Sequence, residues 1–257
     1  MRSLEKGRLK TDGRRSLKIL VVDVGGTHVK ILATGHRAHR EFSSRAAMTP
    51  EQMVSAVRKL AKDWKYDVVS IGYPGPVLQG KPVLEPHNLG AGWVGFNFET
   101  AFQRPVKVIN DAAMQALGSY KGGRSLFLGL GTGLGSAFIV DGFVQPLELG
   151  HLPYKKATFE DYVGLRGLQK RGIRKWRRDV ADVVARLTAA LEPEEVVLGG
   201  GNVKKLKEPP PGVRFGGNAN AFIGGFRLWD ATPGWKRKNR KEQIRGRPSM
   251  ERAGSAQ

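Results

Sequence analysis

The chain has 257 residues, enough for two lobes with separate cores, and its 40% hydrophobic content with 34 glycines suits an α/β protein rich in tight turns. It has no cysteine, so disulfides and thiolate metal sites are excluded, and no apolar run approaches the roughly 18 residues of a membrane span. Forty-three basic against 23 acidic residues leave a net charge of +20, of which residues 1–18 carry +5 and residues 231–257 carry +6.

Residues 1–17 lack apolar periodicity and read as a basic disordered tail. The apolar run at 19–22 is too short for the core of a signal peptide, so a cytoplasmic protein is expected. Residues 18–24 read as a strand ending at Asp23. Gly25, Gly26 and Thr27 turn the chain, and 28–34 return as a second strand, which makes a hairpin rather than a strand-to-helix crossover. Thr49-Pro50-Glu51 opens a helix that runs to about Trp64. Residues 67–72 are a buried strand closed by Pro74-Gly75-Pro76. Residues 82–95 are a loop holding Asn88, Gly90, Gly92 and Trp93, and 97–103 are a short helix. Residues 105–110 form a strand that delivers Asn110-Asp111, and 112–120 a helix.

The pattern then restarts. Residues 125–130 are a strand, Gly131-Thr132-Gly133 a turn, 134–140 a strand and Asp141-Gly142 a hairpin turn. Helices are expected at about 159–169 and 174–191, a strand at 195–198 and a helix at 218–228. Each half thus begins with strand, glycine turn, strand. The expected organisation is a small lobe at 18–111, a larger lobe at 112–230 and a second basic disordered tail at 231–257, with a cleft between the lobes.

Four segments carry the chemistry. At Asp23-Val24-Gly25-Gly26-Thr27, glycines let backbone N–H groups approach phosphate oxygens, Thr27 adds a hydroxyl, and Asp23 is placed to hold Mg²⁺ through water. The P-loop spacing is absent. Gly129 to Gly135 has glycine at every second position, and the strand-like residues after it argue against a dinucleotide fingerprint and for a second phosphate turn. Asp111 at a strand end could cap the next helix, but phosphoryl transfer to an alcohol needs a carboxylate that accepts the hydroxyl proton. Glu148 and His151 offer an acceptor and a donor for sugar hydroxyls. A basic run, Arg166 to Arg178, contains seven cations and no acid. Trp176, Val180, Val183, Val184 and Leu187 recur within and after it at helical spacing, so the cations lie on the exposed flank.

With those residues in place, the chain resembles the ROK (repressor, ORF, kinase) sugar kinases, and within them the polyphosphate glucokinases, over about 18–230. The matching pieces are VVDVGGTHVK, GYPGPV, NLGAGW, VINDA, GLGTGLGSAF, ELGH, FEDYVG and VVLGGGN. The resemblance implies a ribonuclease H-like, actin-like ATPase fold with two lobes and a central cleft. It assigns Asp23, Gly25, Gly26, Thr27 and Lys30 to a first phosphate motif and Gly131, Thr132 and Gly133 to a second. Asp111 becomes the catalytic base, and Asn110, Glu148, His151, Glu160 and Gly75 become sugar contacts. Gly199, Gly200 and Gly201 match a glycine turn near a nucleotide base. Many family members carry a Cys-rich zinc motif after the ExGH stretch. Here LPYKKATFEDY follows, so no zinc is expected.

The expected activity is transfer of a phosphoryl group from inorganic polyphosphate, and ATP as a second donor, to the 6-hydroxyl of glucose, with Mg²⁺ as cofactor. A strictly ATP-dependent hexokinase and a non-catalytic sugar-binding regulator are the alternatives. The expected partners are a hexose, the donor and, from the resemblance, a second copy of the chain. No membrane or nucleic acid is expected, because Trp235 is the only aromatic residue in either tail that could stack on bases.

Overall fold

The computed structural model describes residues 16–217 and 219–230, so the expectations for the tails fall outside the described residues, apart from positions 16 and 17. The first half contains β1 (Ile19–Val24), β2 (His28–Ala33), β3 (Arg40–Ser43), α1 (Pro50–Leu60), β4 (Val68–Tyr73), a small hairpin of β5 (Val77–Leu78) and β6 (Lys81–Pro82), α2 (Phe98–Phe102), β7 (Val106–Asn110) and α3 (Asp111–Ser119). The second half contains β8 (Arg124–Leu130), β9 (Leu134–Val140), β10 (Phe143–Leu147), a 3₁₀ turn at Leu149–His151, a hairpin of β11 (Pro153–Tyr154) and β12 (Ala157–Thr158), α4 (Phe159–Val163), α5 (Leu165–Leu191), β13 (Glu195–Gly199), a 3₁₀ turn at Gly201–Lys205, β14 (Val213–Phe215) and α6 (Asn220–Arg227).

The two halves build sheets of the same design. The first runs β3-β2-β1-β4-β7 and the second β10-β9-β8-β13-β14. In each, the first three strands pair antiparallel and the last two add in parallel. At corresponding rungs of the two leading hairpins, Asp23 faces Lys30 and Gly129 faces Gly135. Central parallel strands are covered on both faces, which is why ILVVDV is apolar almost throughout. Leu20, Val22 and Val24 pack with Ile71 and Trp93 under α1, and Val21 packs with Met114 and Phe222 on the other face. In the second sheet Leu126 and Leu128 face Trp176, Val180 and Val183 of α5, which are buried as their spacing predicts.

Helices α3 and α6 lie between the sheets. α3 touches β8 and β9 of one sheet and β4 and β7 of the other, while α6 packs on β1 and β4. The two helices meet backbone to backbone. A Cβ on Gly118 would collide with the Asn220 carbonyl, and one on Gly224 with the Met114 carbonyl. Polar links reinforce the crossing. Ser70 Oγ donates to Gly225 O at 2.6 Å, and Arg227 Nη1 donates to Leu117 O at 2.6 Å and Tyr120 O at 3.1 Å at the end of α3.

Several elements differ from the sequence reading. The helix expected at 159–169 stops at Val163, because Gly164 is extended and Leu165 begins a new helix. That helix, α5, is interrupted at Gly172, whose φ of 73° and ψ of 159° are not helical, so the break expected between 169 and 174 is present. β3 and β14 are edge strands too short and too polar to announce themselves. The glycine crossing yields a prediction: Gly224→Ala should destabilise the protein by roughly 1–3 kcal/mol, the usual cost of overpacking, seen as a lower denaturation midpoint at unchanged slope.

Candidate active site

The ends of β1, β4 and β7 and the β8–β9 turn surround a cleft of ≈ 450 Å³. Of the residues singled out in the sequence, Gly26, Gly75, Asn110, Asp111, Gly131, Thr132 and Gly133 line it, together with Glu148, His151, Glu160 and Gly200. Asp23, Gly25, Thr27, Lys30, Gly199 and Gly201 are not part of its wall.

The junction of β7 and α3 decides what Asp111 can do. Asn110, not Asp111, caps α3: its Oδ1 accepts the Ala113 N–H at 3.0 Å, and its Nδ2 donates to Gly75 O at 3.1 Å. Asp111 is therefore the first helical residue, and its carboxylate accepts the adjacent Ala112 N–H, at 2.8 Å, and its own backbone N–H. Burial pushes its pKa from 3.8 up to about 7, and the nearby Asp23 charge adds to the rise. Asp23 is itself raised to about 6 by burial, against the pull of Lys30 opposite it on β2.

Both glycine turns present backbone donors. Gly25 N–H bonds to His28 O within the first turn, but the N–H groups of Gly26 and Thr27 have no acceptor among the described residues. In the second turn the Gly131 and Thr132 carbonyls accept the Leu165 N–H at 3.1 and 3.0 Å, and Asn202 Nδ2 donates to Gly131 O at 2.9 Å. The turn is thus tied by its carbonyls, and the Thr132 and Gly133 N–H groups have no partner among the described residues. Such paired backbone donors suit an anion.

Glu148, His151 and Glu160 form the facing wall. His151 Nε2 lies 3.7 Å from Glu148 Oε2, and its Nδ1 lies 3.9 Å from Glu160 Oε1. Ser136 Oγ fixes the segment by donating to Leu147 O at 2.7 Å and accepting the Leu149 N–H at 3.1 Å. Gly133 leaves room for the Glu160 carboxylate, which a Cβ there would force to shift.

Three cleft residues escaped the sequence reading, Glu85, His87 and Gln115, and Asn88, named there within NLGAGW, carried no role. Glu85 accepts the N–H groups of Trp93 and Val94 at 3.0 and 3.2 Å, which folds the 85–94 loop so that Asn88 packs over Gly26. The signal available was a carboxylate and an amide flanking Pro86 and His87 in a glycine-rich segment.

The basic run is only partly free. Arg166 pairs with Asp161 at 3.0 Å and Arg171 with Asp179 at 2.6 Å, and Arg177 donates to Lys205 O at 2.8 Å, bringing the 201–205 turn beside α5. Lys170, Arg174, Lys175 and Arg178 are exposed and have no acidic partner among the described residues.

A divalent cation fits this chemistry in one way. Among the described residues no three His, Cys, Asp or Glu side chains are grouped to cage a metal. Asp23 and Asp111 are neighbouring carboxylates held high in pKa by burial and, for Asp111, by repulsion. That matches Mg²⁺, which is commonly held by one or two carboxylates, waters and substrate phosphates. Raised carboxyl pKa values also fix a stability trend. The folded state binds these protons more tightly than the unfolded one, so stability falls as pH rises from about 4 through about 7, and the penalty is complete above that. Asp111→Asn should therefore raise the unfolding free energy at pH 8, by roughly 1–3 kcal/mol, and leave it nearly unchanged at pH 4, as thermal melts at the two pH values will read.

The sequence model of the ROK family matches residues 19–161. The polyphosphate glucokinase of Mycobacterium leprae (strain TN) is 30% identical over 152 residues, covering 53% of this chain and 47% of that protein. The bifunctional enzyme NanE/NanK of Brucella melitensis is 26% identical over 246 residues, covering 75% of this chain and 47% of that one. The chain thus spans about half the length of these curated relatives. Among solved structures, the inorganic polyphosphate/ATP-glucomannokinase of Arthrobacter sp. strain KM superposes with a TM-score of 0.70 at 23% identity, over 81% of this chain and 96% of that one. The paired sheets with α3 and α6 between them are the actin-like ATPase fold. With more than half of its residues matched by the family model, the chain belongs to the ROK family.

Proposed function

We propose that this chain is a sugar kinase that moves the terminal phosphoryl group of inorganic polyphosphate, with ATP as a second donor, onto the 6-hydroxyl of glucose. One observation carries the reading: a carboxylate released from capping duty, with its pKa raised to about 7, stands in one cleft with a glycine turn whose Thr132 and Gly133 N–H groups have no partner among the described residues. A general base works best when its pKa lies near the working pH.

In this reading the sugar lies against Glu148, His151 and Glu160, with Asn110 and Gly75 beside it. Asn110 keeps one amide N–H for a hydroxyl after serving α3 and Gly75. The 6-oxygen attacks the terminal phosphorus while its proton passes to the Asp111 carboxylate. The bond to the bridging oxygen breaks, and the shortened chain leaves with that electron pair. The N–H groups of Gly26, Thr27, Thr132 and Gly133 hold the phosphate oxygens, and Lys30 partly offsets the rise that burial imposes on Asp23. Bound Mg²⁺ near Asp23 would neutralise phosphate charge. Gly199 to Gly201 border the place where the base of a nucleotide donor would lie.

Polyphosphate is favoured as donor by charge. It is a long anion with no base to recognise, so its binding leans on cations and weakens with salt. Unpaired Lys170, Arg174, Lys175 and Arg178, with Lys204, Lys205 and Lys207 alongside, offer such a track. The Arthrobacter neighbour is named for polyphosphate and ATP together, which supports a dual donor.

Two measurements test this. Asp111→Ala should fold and bind glucose yet lose roughly 10²–10⁴ in kcat; near-full turnover would remove Asp111 from the mechanism. Glucose phosphorylation measured with each donor at low and high salt should fall more steeply for polyphosphate than for ATP. Activity with ATP alone would reduce the basic run to a solvated face.

A further inference from the structure

Asp179 is a buried charge that stands apart from the cleft. It sits in α5, its side chain 3% exposed. Two cations from different segments hold it: Lys155 Nζ at 2.5 Å from Oδ1 and Arg171 Nε at 2.6 Å from Oδ2. Arg171 precedes the Gly172 kink, and Asp179 follows it. Lys155 lies at the tip of the β11–β12 hairpin, at a left-handed φ of 55°. One carboxylate therefore ties together both arms of α5 and the hairpin.

That hairpin joins two functional residues. His151 ends the 3₁₀ turn just before it, and Glu160 stands in the first turn of α4 just after it. Each of its strands has only two residues, and paired strands that short do not hold their own geometry in water. Its anchors are external. Tyr154 OH bonds Asp182 Oδ2 at 2.6 Å, and the Tyr154 ring packs at 5.3 Å from Phe159. Arg171 and Lys155 also lie over the Tyr162 ring, at 4.6 and 5.3 Å. Among these, the Asp179 link is the most buried and the most directional.

Burying a carboxylate is costly, and an apolar residue of similar volume is often no less stable than a buried ion pair. A reason beyond stability is therefore needed. We propose that Asp179 is a positioning residue: through Lys155 and Arg171 it fixes the hairpin that sets the spacing of His151 and Glu160, and so sets affinity for the sugar rather than for the phosphoryl donor. The proposal rests on His151 and Glu160 being sugar contacts.

The test uses the full chain with Lys155→Met, Asp179→Asn, their combination and the conservative Lys155→Arg. Lys155 is half exposed, so Lys155→Met tests the link without threatening the fold. Both single variants should raise the KM for glucose roughly tenfold, with the donor KM and kcat changed less than about twofold, because losing binding that is equal in ground and transition states raises KM and leaves kcat unchanged. The combined variant should be no worse than Asp179→Asn alone, and Lys155→Arg should restore the wild-type value. Amide hydrogen exchange over 148–160, which needs no substrate, should quicken in Asp179→Asn while β1 and β4 stay protected. Unchanged exchange in that segment would overturn the positioning role whatever the enzyme's substrate, as would glucose and donor KM rising together. Quickened exchange in a protein that binds no sugar would uphold the clamp and refute the sugar reading instead.

Discussion

The side chain of Asn110 is committed to its own helix, and the arrangement of the cleft follows from that. Its Oδ1 satisfies a backbone donor that α3 would otherwise leave open, and its Nδ2 reaches the carbonyl of Gly75 at the end of the neighbouring strand. The start of α3 is thereby fixed to the first sheet while its far face packs on the second. Asp111 inherits a fixed place at the seam with most of its oxygen lone pairs uncommitted. Exchange the order of the two residues and the acid would be consumed as a cap.

The seam is also where stability and chemistry oppose each other. Two carboxylates near one another, away from bulk water, favour the protonated form, and a protein selected for stability alone would hold neither. The cost is borne by the rest of the crossing: the all-buried face of α3, the glycine contact with α6, and Arg227 closing the last turn. A cation between the acids would relieve the repulsion, so occupancy of the cleft and stiffness of the seam are linked.

Much of this was legible in the sequence, and what was not has physical causes. Apolar runs ending in Gly25-Gly26-Thr27 and Gly131-Thr132-Gly133 announced both leading hairpins, because glycine turns and β-branched strands are local signals. The repeat of strand, turn and strand announced two matching sheets. β3 and β14 pass unnoticed, since REFS and VRF gain their strand character from the neighbour they pair with. The close approach of Gly118 to Asn220 joins residues about a hundred positions apart, which no local pattern encodes. Whether Asn110 or Asp111 caps α3 depends on a single dihedral choice. The polar wall from Glu85 to Asn88 is set by carboxylate bonds to Trp93 and Val94, and a sequence reads such a segment only as a loop. The Arg166 to Arg178 run read as uniformly exposed cation, yet several of its members face carboxylates or carbonyls that lie elsewhere in the chain.

The two sheets share a strand order, and one rung differs between their leading hairpins. Where the first hairpin carries Asp23 against Lys30, the second carries Gly129 against Gly135. A Cβ on Gly135 would lie 2.9 Å from that of Ala112, so this bare rung is the notch into which the first turn of α3 settles. Two equivalent hairpins would offer two equivalent berths and no reason for the helix to prefer either. Stripping one rung of side chains gives the scaffold a polarity, with charge on one bank and space on the other, and a single occupant per berth.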